Sequence, residues 1–167
     1  MRLTRTLAAA LLIAPLMLPV TACSRSETQA ATATSGTKSA VHPVSGLRVV
    51  PLAVRSDGKT HTFAVEVAAT PEEQAKGLMF RTELGPDEGM IFPTEPPRRA
   101  SFWMRNTVIP LDIIFIGTDH RILNIAANAV PYDETPLPGT GLSIGVLELA
   151  GGRAAELGIK PGDKVKW

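Results

Sequence analysis

From Leu47 to Trp167 the chain is cut into apolar runs of four to eight residues by glycine, proline and aspartate, and only two stretches read as helix. Runs of that length bounded by turn formers are strands. Leu47–Val54 and Thr60–Val67 flank Ser56-Asp57-Gly58-Lys59, which carries an Asp-Gly hairpin signal. In the second run Phe63, Val65 and Val67 alternate with Thr62, Ala64 and Glu66, so the first set faces a core and the second is mostly wet. Pro51 lacks an N–H and places the first run at a sheet edge. Further strands are predicted at Gly89–Phe92, Ser101–Met104, Leu111–Ile116, Ile122–Ala129, Ser143–Leu149 and Asp163–Trp167, with a loop from Tyr132 to Leu142. Thr70-Pro71-Glu72-Glu73 joins an N-cap threonine, a proline at the first helical position and a capping-box glutamate, so a short helix is expected from about Pro71 to Ala75 or Leu78, with Gly77 near its end. Arg153–Leu157 reads as one or two further helical turns. This pattern predicts a mostly β fold, a compact antiparallel β-sandwich or barrel-like single domain with one or two short helices. Cys23 is the only cysteine, so no disulfide can staple the domain and its apolar core must hold it.

The first 22 residues have a different design. Arg2 and Arg5 precede an apolar stretch from Leu7 to Val20, and Val20-Thr21-Ala22 stands directly before Cys23. A charged start, an apolar middle and a small residue before the cut make a secretory signal. A transmembrane helix is the competing reading, but a span needs about 20 apolar residues and this run is shorter and interrupted by Pro15 and Pro19. An ordinary cleavable signal would leave a solitary free thiol in an oxidising compartment; a lipoprotein signal uses that thiol as its acylation site. The expectation is therefore a lipoprotein signal over residues 1–22 and lipidation at Cys23. Ser24, in place of aspartate, resembles the sorting residue that favours the outer membrane. Residues 23–45 are rich in Ser, Thr, Ala and Gly and read as a disordered tether, leaving 46–167 as the globular part. The expected location is a periplasm-facing envelope membrane, held through N-terminal lipid.

Charge and motifs exclude several functions. The chain has 17 bases and 16 acids, and losing Arg2 and Arg5 with the signal leaves a formal charge of about −1. The bases are scattered rather than striped, so nucleic acid is not an expected partner. No Gly-x-Ser-x-Gly elbow, phosphate-cradling Gly-x-x-x-x-Gly-Lys-Ser/Thr loop or dinucleotide Gly-x-Gly-x-x-Gly is present, so no catalytic residue or cofactor is assigned.

Several blocks, in order along the chain, carry a resemblance. Gly77-Leu78-Met79-Phe80-Arg81, Gly89-Met90-Ile91-Phe92, Phe102-Trp103-Met104-Arg105-Asn106-Thr107, Ile109-Pro110-Leu111-Asp112-Ile113-Ile114-Phe115, Val146-Leu147-Glu148-Leu149 and Gly158-Ile159-Lys160-Pro161-Gly162-Asp163 resemble the signature blocks of domain of unknown function 192. The resemblance spans about Val54 to Trp167. It implies a small, β-rich single domain and no established activity.

Two constellations within these blocks bear on chemistry. Leu111–Ile116 is apolar on both strand faces except at Asp112, which predicts a central or covered strand with a buried carboxylate. Such a group needs donors, for which Arg81, Trp103, Arg105, Asn106 and Thr107 are candidates. Glu148 raises the same question. The two acids could form a general acid–base pair of a cell-wall glycan or peptide hydrolase; the plainer reading is that each accepts hydrogen bonds from an arginine or backbone amides and fixes a loop. The second constellation is Met79, Met90 and Met104 beside Trp103, whose thioethers would suit periplasmic Cu(I) but also serve as ordinary core filler. His42, His61 and His120 show no metal-ligand spacing, so no metal site is assigned. The favoured expectation is a non-enzymatic accessory or binding module. Arg81, Trp103, Met104, Arg105, Asn106, Thr107, Asp112 and Glu148 would line one groove for a small molecule or envelope component.

Overall fold

The computed structural model describes residues 40–167; the predicted signal, Cys23 and most of the predicted tether lie outside the described residues. The elements in chain order are β1 (Ala40–Val41), β2 (Arg48–Ser56), β3 (Lys59–Val67), α1 (Pro71–Lys76), β4 (Glu88–Phe102), β5 (Leu111–Gly117), β6 (Ile122–Ala129), β7 (Leu137–Ala150), α2 (Arg153–Leu157) and β8 (Lys164–Lys166). The strands form one curled sheet in the order β1-β2-β3-β4-β7-β5-β6, with β8 also pairing with β2. Every pairing is antiparallel except β3 with β4, which α1 and the following loop connect as a crossover. Short β8 draws the sheet together. It pairs Val165 with Val54 of β2, and Arg121, just before β6, bridges to Lys164. The Ile122 N–H donates to the Asp163 carbonyl and the Val165 N–H to that of His120. Among the described residues no helix is long and apolar enough to cross a membrane.

Two apolar clusters lie on opposite faces of the middle strands. Inside the curl pack Leu52, Phe63, Val65, Ile91, Ile114, Leu147 and Leu149, among others. On the other face Met90, Phe92, Leu111, Ile113, Phe115 and Val146 pack with Leu78 and Met104. Strand β5, between β7 and β6, is buried at all seven positions, which is why its sequence is apolar on both faces. Fully burying each large side chain of this kind contributes about 1.5–3 kcal/mol.

The structure departs from the sequence reading in four places. Gly89–Phe92 and the start of Ser101–Met104 belong to one strand, β4, which crosses Pro93, Pro96 and Pro97 through irregular register between Pro93 and Arg98 and again between Arg99 and Ser101. Strand β7 begins at Leu137, inside the predicted loop, because Leu137 and Pro138 pair with Phe102 and Ser101. Gly139 there is a point of close approach rather than a loop marker: a Cβ would stand 2.8 Å from Phe115 Cδ1. Pro51 is not on a bare edge. The outer side of β2 is shared by β1, at Arg48 and Val49, and β8, at Ala53 to Arg55, and Pro51 falls in the gap where no N–H is required.

The fourth departure concerns Glu66. It is only 3% exposed, although its neighbours Thr62 and Ala64 on the same strand face are exposed. Residues 42–47 fold over it: the Ser45 hydroxyl donates to Glu66 Oε2, and His42 Nε2 lies 3.7 Å from Oε1. Arg81 Nη2 donates to both carboxylate oxygens, at 2.6 and 2.8 Å.

Candidate functional site

Helix α1 forms one wall of the site. The Thr70 side chain accepts from the Glu73 N–H, Glu73 Oε2 accepts from the Thr70 N–H, and both halves of the predicted capping box are present. Gln74 pins the helix to the sheet, its amide donating to the Ala68 carbonyl at 3.2 Å and the Pro93 carbonyl at 2.9 Å. Gly77 ends the helix at φ 47° directly over Phe92, where a Cβ would meet the ring at 3.3 Å.

The opposite wall is the turn from Trp103 to Thr107. The Phe80 N–H donates to the Asn106 carbonyl, the Met104 N–H to that of Asp133, and the Tyr132 N–H to those of Met104 and Thr107. Phe80, Asn106 and Tyr132 all have positive φ, at 62°, 54° and 64°. Left-handed backbone is common for asparagine but uncommon for bulky aromatic residues and clusters at functional sites, so two such aromatics hydrogen-bonded through one turn mark this region.

Between these walls lies a narrow cleft of about 50 Å³ lined by Gln74, Lys76, Met79, Trp103, Arg105, Thr107 and Glu148, among others. An adjoining cavity of about 280 Å³ shares Gln74, Phe92, Phe102 and Trp103 and adds Thr94, Arg98 and Ser101. Trp103 is 47% exposed, and the Arg105 guanidinium carbon sits 5.3 Å from its ring centroid. Phe92 and Phe102 meet edge to face at 5.0 Å.

Glu148 is at the floor, on β7 between Met90 of β4 and Ile113 of β5. It is 5% exposed, and its Oε2 has no hydrogen-bond partner among the described residues. Burial pushes its carboxyl up to about 8, so at neutral pH it holds a proton and can donate it in a hydrogen bond. An unpartnered buried polar atom facing a cleft is unusual, because leaving one costs about 1–3 kcal/mol.

The structure gathers part of the predicted groove. Trp103, Arg105, Thr107 and Glu148 converge, and Met79 joins them. Asp112 does not. Its Oδ1 accepts from the Asn128 and Gly152 N–H groups at 2.8 and 3.0 Å, and its Oδ2 from the Ala154 N–H at 2.8 Å. None of the predicted side-chain donors reaches it; held by backbone amides, it ties the end of β6 to the start of α2. Its cross-strand partner is Leu149, whereas Glu148 stands opposite Ile113, so the two acids point to opposite faces of the sheet. That removes the hydrolase reading that required both in one open cleft. Arg81 is engaged with Glu66, Met104 is fully buried in the outer cluster, and Asn106 contributes its carbonyl to the turn. The three-thioether copper reading loses Met90 and Met104, sealed at 1% and 0% exposure. Only Met79 reaches the cleft, with Asn106 Nδ2 3.8 Å from its sulfur.

Sequence reasoning missed Gln74, Lys76, Phe92 and Phe102 as lining residues. The capping box located their helix, but nothing in a six-residue helix says which strand it will cover. Two further hollows, about 560 Å³ each, flank residues 42–47; the half-buried cation lining both, Arg81, is already paired with Glu66.

The sequence profile of DUF192, described as an uncharacterized ACR, matches residues 52–167. The crystal structure of a protein of unknown function from Novosphingobium aromaticivorans DSM 12444 is similar at 68% identity and a TM-score of 0.76, covering 77% of this chain and 91% of that one. A Sinorhizobium meliloti 1021 protein with the provisional description of transcription regulator is similar at 36% identity and a TM-score of 0.70, covering 72% of this chain and 94% of that one. No match was found among curated proteins.

Proposed function

Starting from the fact that the chain belongs to the DUF192 family, whose description carries no activity, we propose that this protein is a lipid-anchored cell-envelope module that binds a small ligand between α1 and the Trp103–Thr107 turn. The observation that carries the reading is the Glu148 carboxyl, buried on the cleft floor with one oxygen unpartnered beneath an exposed tryptophan. A ligand atom there would complete its hydrogen bonding, and the aromatic walls would supply apolar contact. The left-handed residues behind the turn hold Trp103 and Arg105 in place before any ligand arrives, which lowers the ordering cost of binding. The anchor rests on the apolar signal and on Cys23 as the only cysteine. With no second carboxylate lining the cleft among the described residues, the site is suited to holding a molecule rather than to paired acid–base hydrolysis.

The test is native mass spectrometry of full-length protein purified from its own envelope after palmitate labelling. Wild-type protein is expected to carry label and a small-molecule mass increment. Cys23→Ser loses the label, whereas Trp103→Ala and Glu148→Leu lose the increment. An unlabelled wild type removes the anchor, and an increment indifferent to both cleft variants removes the site.

A further inference from the structure

We propose that the ligand of this cleft is an organic anion with a flat apolar body, its head group a carboxylate that accepts a hydrogen bond from Glu148 while Arg105, Lys76 and Arg98 balance its charge. The inference rests on the binding reading above and names the chemistry of the ligand.

The walls set the body of the molecule. Phe92, Phe102 and Trp103 line both the narrow cleft and the adjoining cavity, so a planar apolar group can lie along them with its head toward Glu148. Charge sets the head. Around Glu148, β4 presents Met90 and Phe92, β5 presents Ile113, and the turn after α1 presents Met79, all apolar. Helix α1 brings Lys76 and the 103–107 turn brings Arg105; the adjoining cavity adds Arg98. Two exposed bases thus rim the cleft that holds Glu148 and a third rims the adjoining cavity, so bases outnumber acids in the lining of both whether or not Glu148 is ionised. Glu134 meets Arg105 at 3.5 Å with both side chains about half exposed, a pairing too weak to neutralise it, and Glu72 and Glu73 of α1 share with Lys76 the lining of a separate hollow on the other side of the helix end.

A cationic ligand would find a neutral acid at the floor and bases on the rim. A neutral ligand would leave those bases unmatched. A carboxylate satisfies both ends, because an O–H donor to an ionised oxygen is among the stronger hydrogen bonds and is strengthened further in a dry cleft. Binding is then linked to the Glu148 proton. The anion requires the protonated acid, so affinity falls as Glu148 ionises.

The experiment follows Trp103 fluorescence in full-length protein in detergent, in a Trp167→Phe background that leaves Trp103 as the only tryptophan. The probes are benzoate, benzyl alcohol and benzylammonium. Benzoate is expected to change the emission saturably near neutral pH and to bind about ten-fold more weakly well above the Glu148 titration. Glu148→Gln, whose amide still donates, keeps benzoate binding but flattens its pH dependence; Glu148→Leu abolishes binding and Arg105→Ala weakens it several-fold. Preference for benzyl alcohol or benzylammonium, abolished by Glu148→Leu, would overturn the anion assignment and leave the binding site standing. Benzoate binding indifferent to Glu148→Leu and to pH would also overturn it. No response to any probe would remove both.

Discussion

Two carboxyl groups on adjacent strands meet the loss of water in opposite ways. Asp112 collects three backbone N–H groups, from the end of β6 and the start of α2, whereas Glu148, with only apolar strand neighbours, is pushed up by burial and keeps its proton. Both were legible as buried acids, since each interrupts an apolar strand. Their difference was not, because strand parity across a register decides the face and register is a tertiary property. The proton on Glu148 has a cost that stability measurements can read. The unfolded chain releases it near 4.5 and the folded chain near 8, so across that window the folded state binds more protons and loses stability as pH rises. Glu148→Gln should match the wild type in acid and exceed it by several degrees in thermal midpoint above pH 8. Parallel melting profiles for the two proteins would refute the assignment.

The elements were legible where a local signal closes them. Helix α1 is announced by its capping box, and α2 and β6 have the boundaries their sequence patterns indicate. Strand β4 was not, because three prolines interrupt its pattern and only pairing with β7 carries it through. That pairing depends on Gly89. A Cβ there would stand 2.5 Å from the Glu148 carbonyl oxygen and 2.9 Å from Leu149 Cδ2, so a side chain would force β4 and β7 apart beside the cleft floor. Gly89→Ala is expected to lower stability by about 2–3 kcal/mol, from the usual penalty of overpacking. Urea denaturation measures it, and an unchanged midpoint would show that the strands shift freely.

For the whole molecule, the sequence supported a β-rich sheet structure but not its closure. The curl depends on three-residue β8 reaching both β2 and the start of β6, and on one parallel pairing that no local pattern encodes. Alternation along β3 distinguishes two faces, yet it cannot show that Glu66 will be roofed by residues 42–47, a segment whose composition reads as tether. Arg81→Ala would strand that carboxylate without its cation and should cost about 3–5 kcal/mol in chemical denaturation, the usual penalty for breaking a buried pair. Adding Glu66→Leu should restore most of the loss; no recovery would mean that Arg81 acts through packing alone. The same clasp determines how the domain bears load. Tension at residue 40 first meets the two-residue β1 pairing, then the His42 and Ser45 contacts to Glu66, which Arg81 ties to the turn after α1. A pull on the N-terminal end therefore peels a short, sacrificial lap before it reaches the strands enclosing the inner core, and the clasp works as a strain relief for the curled sheet.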